Sequence, residues 1–141
     1  MQSGDGVMLW TRIRRAVAIQ LAHLGLSLVW NVAGLALIAR GLRAPGPTAS
    51  LEVAAFLLVL GVAMGVGARR FAPLYVLASL LAGLGAAPAI FQAFQLDPSL
   101  WPSDFWRYAG VLLNALGVFG ACWGLLGWWR WRGDTGHGVS R

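Results

Sequence analysis

Ala16-Val-Ala-Ile-Gln-Leu-Ala-His-Leu-Gly-Leu-Ser-Leu-Val-Trp-Asn-Val-Ala-Gly-Leu-Ala-Leu-Ile-Ala39 decides the fold: these twenty-four residues carry no formal charge and follow closely on Arg12, Arg14 and Arg15. As a helix rising about 1.5 Å per residue the stretch reaches roughly 36 Å, enough to cross a hydrocarbon core of about 30 Å with some tilt. A signal peptide has an apolar region of only about 7–15 residues, so the segment reads as a retained membrane span. Within it Gln20, His23, Ser27, Asn31 and Gly34 recur at steps of three, four, four and three. At about 100° per residue they fall within an arc of roughly 80°, one polar and small-residue stripe on an otherwise apolar helix.

Composition agrees. A chain of 141 residues with 58% hydrophobic and 11% charged residues has too little polar surface to clothe a soluble globule. The net charge of +6 does not point to nucleic acid, because the Arg residues stand in short clusters at the ends of apolar runs instead of forming a basic face interleaved with aromatics. The single Cys122 excludes a disulfide within one chain and any paired-cysteine metal or redox motif.

Working outward, residues 1–11 read as a flexible tail. Residues 40–50 (Arg-Gly-Leu-Arg-Ala-Pro-Gly-Pro-Thr-Ala-Ser) form a loop too rich in Gly and Pro to continue a helix. Ser50 suits an N-cap, opening a second span over residues 51–68 with Glu52 in its first turn. Arg69-Arg70 alone separates it from a third span over 71–94, so spans two and three form a hairpin, and Pro88 predicts a bend in the third. Asp97-Pro98 and Ser103-Asp104 mark helix starts, giving a short interfacial helical turn and then a fourth span over 108–129. Residues 133–141 read as a second flexible tail. The expected fold is an all-α, antiparallel integral membrane four-helix bundle, one polytopic domain over residues 1–141.

Counting Arg near the span ends places eight on the side of the termini and three (Arg40, Arg43, Arg107) on the other, which puts both termini in the cytoplasm of a cell whose inner membrane the chain spans. Trp101 and Trp106 on one side, and Trp128, Trp129 and Trp131 interleaved with Arg130 and Arg132 on the other, are the expected interfacial anchors.

The fourth span carries its own small stripe of Gly110, Asn114, Gly117, Ala121 and Gly124. Packing it on the first span brings Asn31 and Asn114 to similar depth, and a hydrogen bond between them is expected. Gln20, His23, Ser27, Asn31 and Asn114 are therefore the candidate packing face or polar cleft. Gly61 and Gly65 form a small-residue pair for packing within the chain or against a second copy. No metal or cofactor site is expected: a haem held by two His of one chain is excluded because the other one, His137, lies in the polar tail.

No family is recognised. The first span lacks the carboxylate of small multidrug transporters, and no Gly-rich Thr-Phe-Ser filter of the fluoride-channel kind is present. Arg107-Tyr-Ala-Gly-Val-Leu-Leu-Asn114 resembles the start of the first helix of GtrA-like lipid-linked sugar flippases, but here it opens the fourth span. The sequence alone favours a structural or accessory subunit that acts by helix–helix packing, partnered by the bilayer and by other membrane subunits or a second copy. The alternative is a small transporter or a lipid-linked substrate flippase component with a polar cleft between the first and fourth spans. An enzyme is not expected, since no nucleophile–base pair, metal cluster or phosphate-cradling loop is legible.

Overall fold

A computed structural model describes the backbone of residues 3–136 and the side chains of residues 9–134. Four helices follow in order: α1 (Ser3–Ile38), α2 (Leu51–Arg70), α3 (Ala72–Gln95) and α4 (Asp104–Gly136), with a single 3₁₀ turn, Pro98–Leu100, between the last two. All four are long and apolar enough to cross a membrane, and no strand occurs among the described residues. α1 packs against α2 and α4, and α3 also packs against α2 and α4, while α1 and α3 scarcely meet across the bundle. The start of α1 meets the end of α4 through Arg12 Nη1 and Asp134 Oδ2, 2.8 Å apart. The other end is joined by Trp30 of α1 against Trp106 of α4, edge to face at 5.4 Å.

Local chemistry sets the helix ends. α1 closes in a Schellman motif: Gly41 takes a left-handed conformation at φ 73°, its N–H donates to Ile38 O, and the Leu42 N–H donates to Leu37 O. Ser50 caps α2, its hydroxyl accepting from the Val53 N–H at 3.2 Å. Between α2 and α3 only Phe71 stands outside a helix, and the Gly67 backbone lies on the Tyr75 amide. Asp97 caps the 3₁₀ turn by accepting from the Ser99 N–H at 2.8 Å. That hydrogen bond holds the exposed Asp97 carboxyl below the usual carboxylate range.

Two expectations are corrected. Residues 3–11 are not a flexible tail but the first turns of α1, and α4 runs past residue 129 to Gly136 instead of fraying from 133. The reason is packing. Leu9, Ile13, Val17 and Leu24 keep helical spacing across the arginines and are buried in one cluster with Leu60, Met64, Ala68 and Tyr75, against which Trp10, Trp128 and Trp131 also pack. Hydropathy is interrupted by Arg12, Arg14 and Arg15, which all point outward, so the apolar face continues beneath them. With 36 residues, α1 is roughly 54 Å long and overshoots a bilayer core of about 30 Å. Residues 1–2 and 137–141, the remainder of the expected tails and the site of His137, lie outside the described residues. α3 continues as helix through Pro88.

Candidate functional site

The polar stripe of α1 divides into two halves with different surroundings. In the half nearer the start of α1, Gln20 is 1% exposed and fully engaged: its Nε2 donates to Ser79 Oγ at 3.1 Å, and the Tyr75 hydroxyl donates to its Oε1 at 3.2 Å. Tyr75 and Ser79 stand one turn apart on α3, so a single amide on α1 bridges both. Gly124 of α4 lies directly over the Tyr75 hydroxyl, where a Cβ has no room, and Gly120 lies against Gln20. This is a closed polar clamp hydrogen-bonded between α1 and α3 and covered by the glycines of α4.

In the other half the stripe faces a cavity of about 380 Å³, walled by all four helices and by the α1–α2 connection. Sites for small molecules commonly span ~300–1,000 Å³. His23 forms its floor. The residue is 4% exposed, and neither ring nitrogen has a hydrogen-bond partner among the described residues. The imidazole lies flat on Gly117 of α4, where a Cβ would stand 2.6 Å from Nε2. Ser27, Asn31 and Asn114 also line the cavity, joined by Gln92 of α3 and Thr48 of the connection. Apart from the imidazole no ionisable side chain among the described residues lines it.

The expected Asn31–Asn114 hydrogen bond is not formed. Asn31 Oδ1 accepts from the Ser50 N–H at 3.1 Å, and Asn114 Nδ2 donates to Gly110 O at 2.8 Å, one turn back on its own helix. Both choices have the same origin. Ser50 precedes α2, so its amide has no helical acceptor, and away from bulk water a side-chain oxygen must supply one. A short polar side chain in a helix readily bonds the carbonyl four residues earlier. α1 and α4 nonetheless meet: Gly117 and Gly124 of the stripe lie on His23 and near Gln20, joined by Gly120 on Gln20 and Gly110 on Trp30, while Ala121 of the stripe packs on Gly83 of α3. Gly34 leaves the series, packing instead on Ala49 of the connection.

The far end of the cavity is roofed by the α1–α2 connection, which is tied to the α3–α4 connection. Arg43 Nη1 donates to Ser99 O at 2.8 Å, and Trp101 is buried near Gly46. Trp101 is thus a packing residue, whereas Trp106 is partly exposed against Trp30. At the opposite end of the bundle Arg132 sits over Trp128 and Arg69 over Trp10, while Trp129 is 73% exposed and Arg130 is exposed beside it. Trp131 is half-buried against the core. Gly61 and Gly65 of α2 face open space, so they do not pack within the chain. Cys122 is exposed, and no cluster of potential metal ligands occurs among the described residues.

Tyr75 and Ser79 escape the sequence reading, although a signal exists: they are hydroxyl-bearing residues at i and i+4 in an otherwise apolar span, the same pattern that identified the stripe on α1. Compared with known protein families, curated proteins and solved structures, the chain matches none of them.

Proposed function

We propose that this small multi-pass membrane protein acts by binding and carrying a small molecule within the bilayer, without catalysis, and that the cavity floored by His23 is where it does so. One observation carries the reading: a cavity of about 380 Å³ lies between the helices with Ser27, Asn31, Asn114 and Gln92 on its lining, and the buried imidazole of His23, its nitrogens unpartnered, at its floor. Had the stripe served packing alone, its groups would all be paired as Gln20 is, because an unpaired polar group away from water costs about 1–3 kcal/mol. Pro88 lines the same cavity on α3, and lacking a backbone donor it leaves the helix a point at which its outer half can shift.

The bundle is antiparallel in this proposal, with both termini on the cytoplasmic face of the inner membrane. The contacts of Arg12 with Asp134, and of Trp30 with Trp106, support opposite directions for α1 and α4. The excess of Arg at the terminal end supports the orientation. The 3₁₀ turn at Pro98–Leu100 then lies near the outer interface.

The test uses Gly85, which lines the cavity and whose Cβ would meet nothing within 4 Å, so that Gly85→Leu adds bulk at the cavity's exposed edge without a clash. Wild-type and Gly85→Leu protein, purified in native-membrane nanodiscs, are extracted and compared by mass spectrometry. The reading expects a small molecule that accompanies the wild type and is depleted in the variant; identical extracts overturn it.

A second reading, an accessory or assembly subunit, draws on Gly61 and Gly65, which leave a shallow uncovered strip on α2 where another transmembrane helix can approach closely. In that reading Gly61→Leu abolishes co-purification of a defined partner or second copy in mild detergent, and leaves the cavity extract unchanged.

A further inference from the structure

The end of the bundle that holds Trp10 is strongly basic. Among the described side chains seven arginines gather there, three near the start of α1, two at the end of α2 and two near the end of α4, against a single acid, Asp134. That acid is already taken: its Oδ2 stands 2.8 Å from Arg12 Nη1, on the seam between α1 and α4. The seam between α1 and α2 has no such partner. There the Arg69 guanidinium lies over the Trp10 ring, 5.2 Å from its centre. Arg14 is exposed one turn further along α1, on the face that carries Trp10. Helical side chains lean toward the start of their own helix, which brings Arg14 back toward the same ring. Neither Arg14 nor Arg69 has a side-chain hydrogen bond or an ion pair among the described residues.

Two like charges drawn to one indole with no acid beside them call for an anion. The planar fork of N–H donors on a guanidinium suits the oxygens of a phosphate, and contact with the ring face of Trp10 uses none of those donors. The surroundings name the source of that phosphate. Along the same face of α1 beyond Arg14, Ala18 and Leu21 are exposed, and on α2 so is Val62, seven residues before Arg69. An acyl chain packs on these side chains, whereas a free phosphate ion gains nothing from them. A zwitterionic head would bring its own cation among the arginines, so a head of net negative charge is favoured. We propose that the α1–α2 seam at Trp10 binds an anionic phospholipid, its phosphate held by Arg14 and Arg69 and an acyl chain running along Leu21 and Val62. The Trp10 ring marks the headgroup level between the two arginines. None of these residues lines the cavity, so the site is independent of what the cavity holds.

The experiment uses the full chain in uncharged detergent micelles, titrated with phosphatidylglycerol or with phosphatidylethanolamine of the same acyl chains. Native mass spectrometry reads the Kd of the first lipid bound. Phosphatidylglycerol is expected to bind the more tightly. Arg14→Gln and Arg69→Gln should each weaken it about fivefold, the loss of one basic side chain at the headgroup. Arg14 is exposed and makes no contact that the variant would break, so the helical circular dichroism should be retained. Arg15→Gln removes the same charge about 100° further round α1, and Arg130→Gln removes one from α4; both should leave the affinity nearly unchanged. An equal concentration of inorganic phosphate should not displace the lipid. Losses in Arg15→Gln and Arg130→Gln equal to that in Arg14→Gln would show a diffuse attraction and overturn the seam site. Equal affinity for the two lipids overturns the anionic head, and displacement by inorganic phosphate overturns the lipid as its source.

Discussion

Gln20→Leu removes the amide on which three helices converge, and its cost follows from the bonds it breaks. The Tyr75 hydroxyl loses its acceptor, the Gln20 Oε1 at 3.2 Å, and the Ser79 hydroxyl loses the Nε2 donor at 3.1 Å. Side-chain hydrogen bonds between transmembrane helices are worth about 0.6 kcal/mol on average and up to about 1.7, so two of them come to roughly 1–3 kcal/mol. Leucine brings no compensating burial, because acyl chains are as apolar as its own side chain. Tyr75→Phe removes one bond and is expected to cost about 0.6–1.7 kcal/mol. The double variant should then cost less than the sum by about the same amount, since the bond between the phenol and Gln20 can be lost only once. Steric trapping in bicelles gives the unfolding free energies for this cycle. Costs that add within about 0.5 kcal/mol, or a Gln20→Leu variant more stable than the wild type, would refute the clamp.

Other expectations follow from single contacts. Gly67→Ala drives a Cβ into the backbone of Leu74 and Tyr75, which cannot swing aside, and should destabilise by about 3 kcal/mol or more in the same assay. Gly61→Ala, with open space around it, should stay within about 0.5 kcal/mol of wild type when the monomer is measured. Asn31→Leu strands the Ser50 amide and should cost about 1–3 kcal/mol, with an Asn114→Leu change simply adding to it; strong coupling between the two would restore a direct Asn–Asn bond. Asp97 has its carboxyl held low by the Ser99 amide, so its contribution to the 3₁₀ turn is full above the ordinary carboxylate pKa and is lost as pH falls through its own lower value. Hydrogen exchange at the Ser99 amide should accelerate over that acidic window beyond the intrinsic pH trend, and Asp97→Asn should remove the extra change.

The four long apolar helices were legible because a bilayer sets a length and an apolarity that few other environments demand, and Ala16–Ala39 meets both. The helix ends were less so. Hydropathy reads the arginines at 12, 14 and 15 as a boundary, whereas the helix is held by Leu9 and Ile13, which reach past them into the core. Small-residue spacing on α4 gave Gly117 and Gly124, which lie against His23 and against Gln20 with Tyr75, but it missed Gly120 against Gln20 and included Ala121, which packs on Gly83 of α3. It did not identify hydrogen-bond partners. Spacing brought Asn31 and Asn114 to one depth, but each found a nearer backbone group, the Ser50 amide and the Gly110 carbonyl. Nor did it foretell that half of the stripe would be sealed and half open, because that depends on how far α2 and α3 stand from it.

That division is what the account rests on, and cysteine reactivity tests it directly. In a Cys122→Ser background, Ser27→Cys places a thiol on the cavity and Ser79→Cys places one in the closed clamp, where the native side chain is fully buried. Only a thiolate reached by water reacts with N-ethylmaleimide. In lipid bilayers the account predicts ready modification of Ser27→Cys and none of Ser79→Cys. Equal reactivity at the two positions, or protection of both, would contradict it.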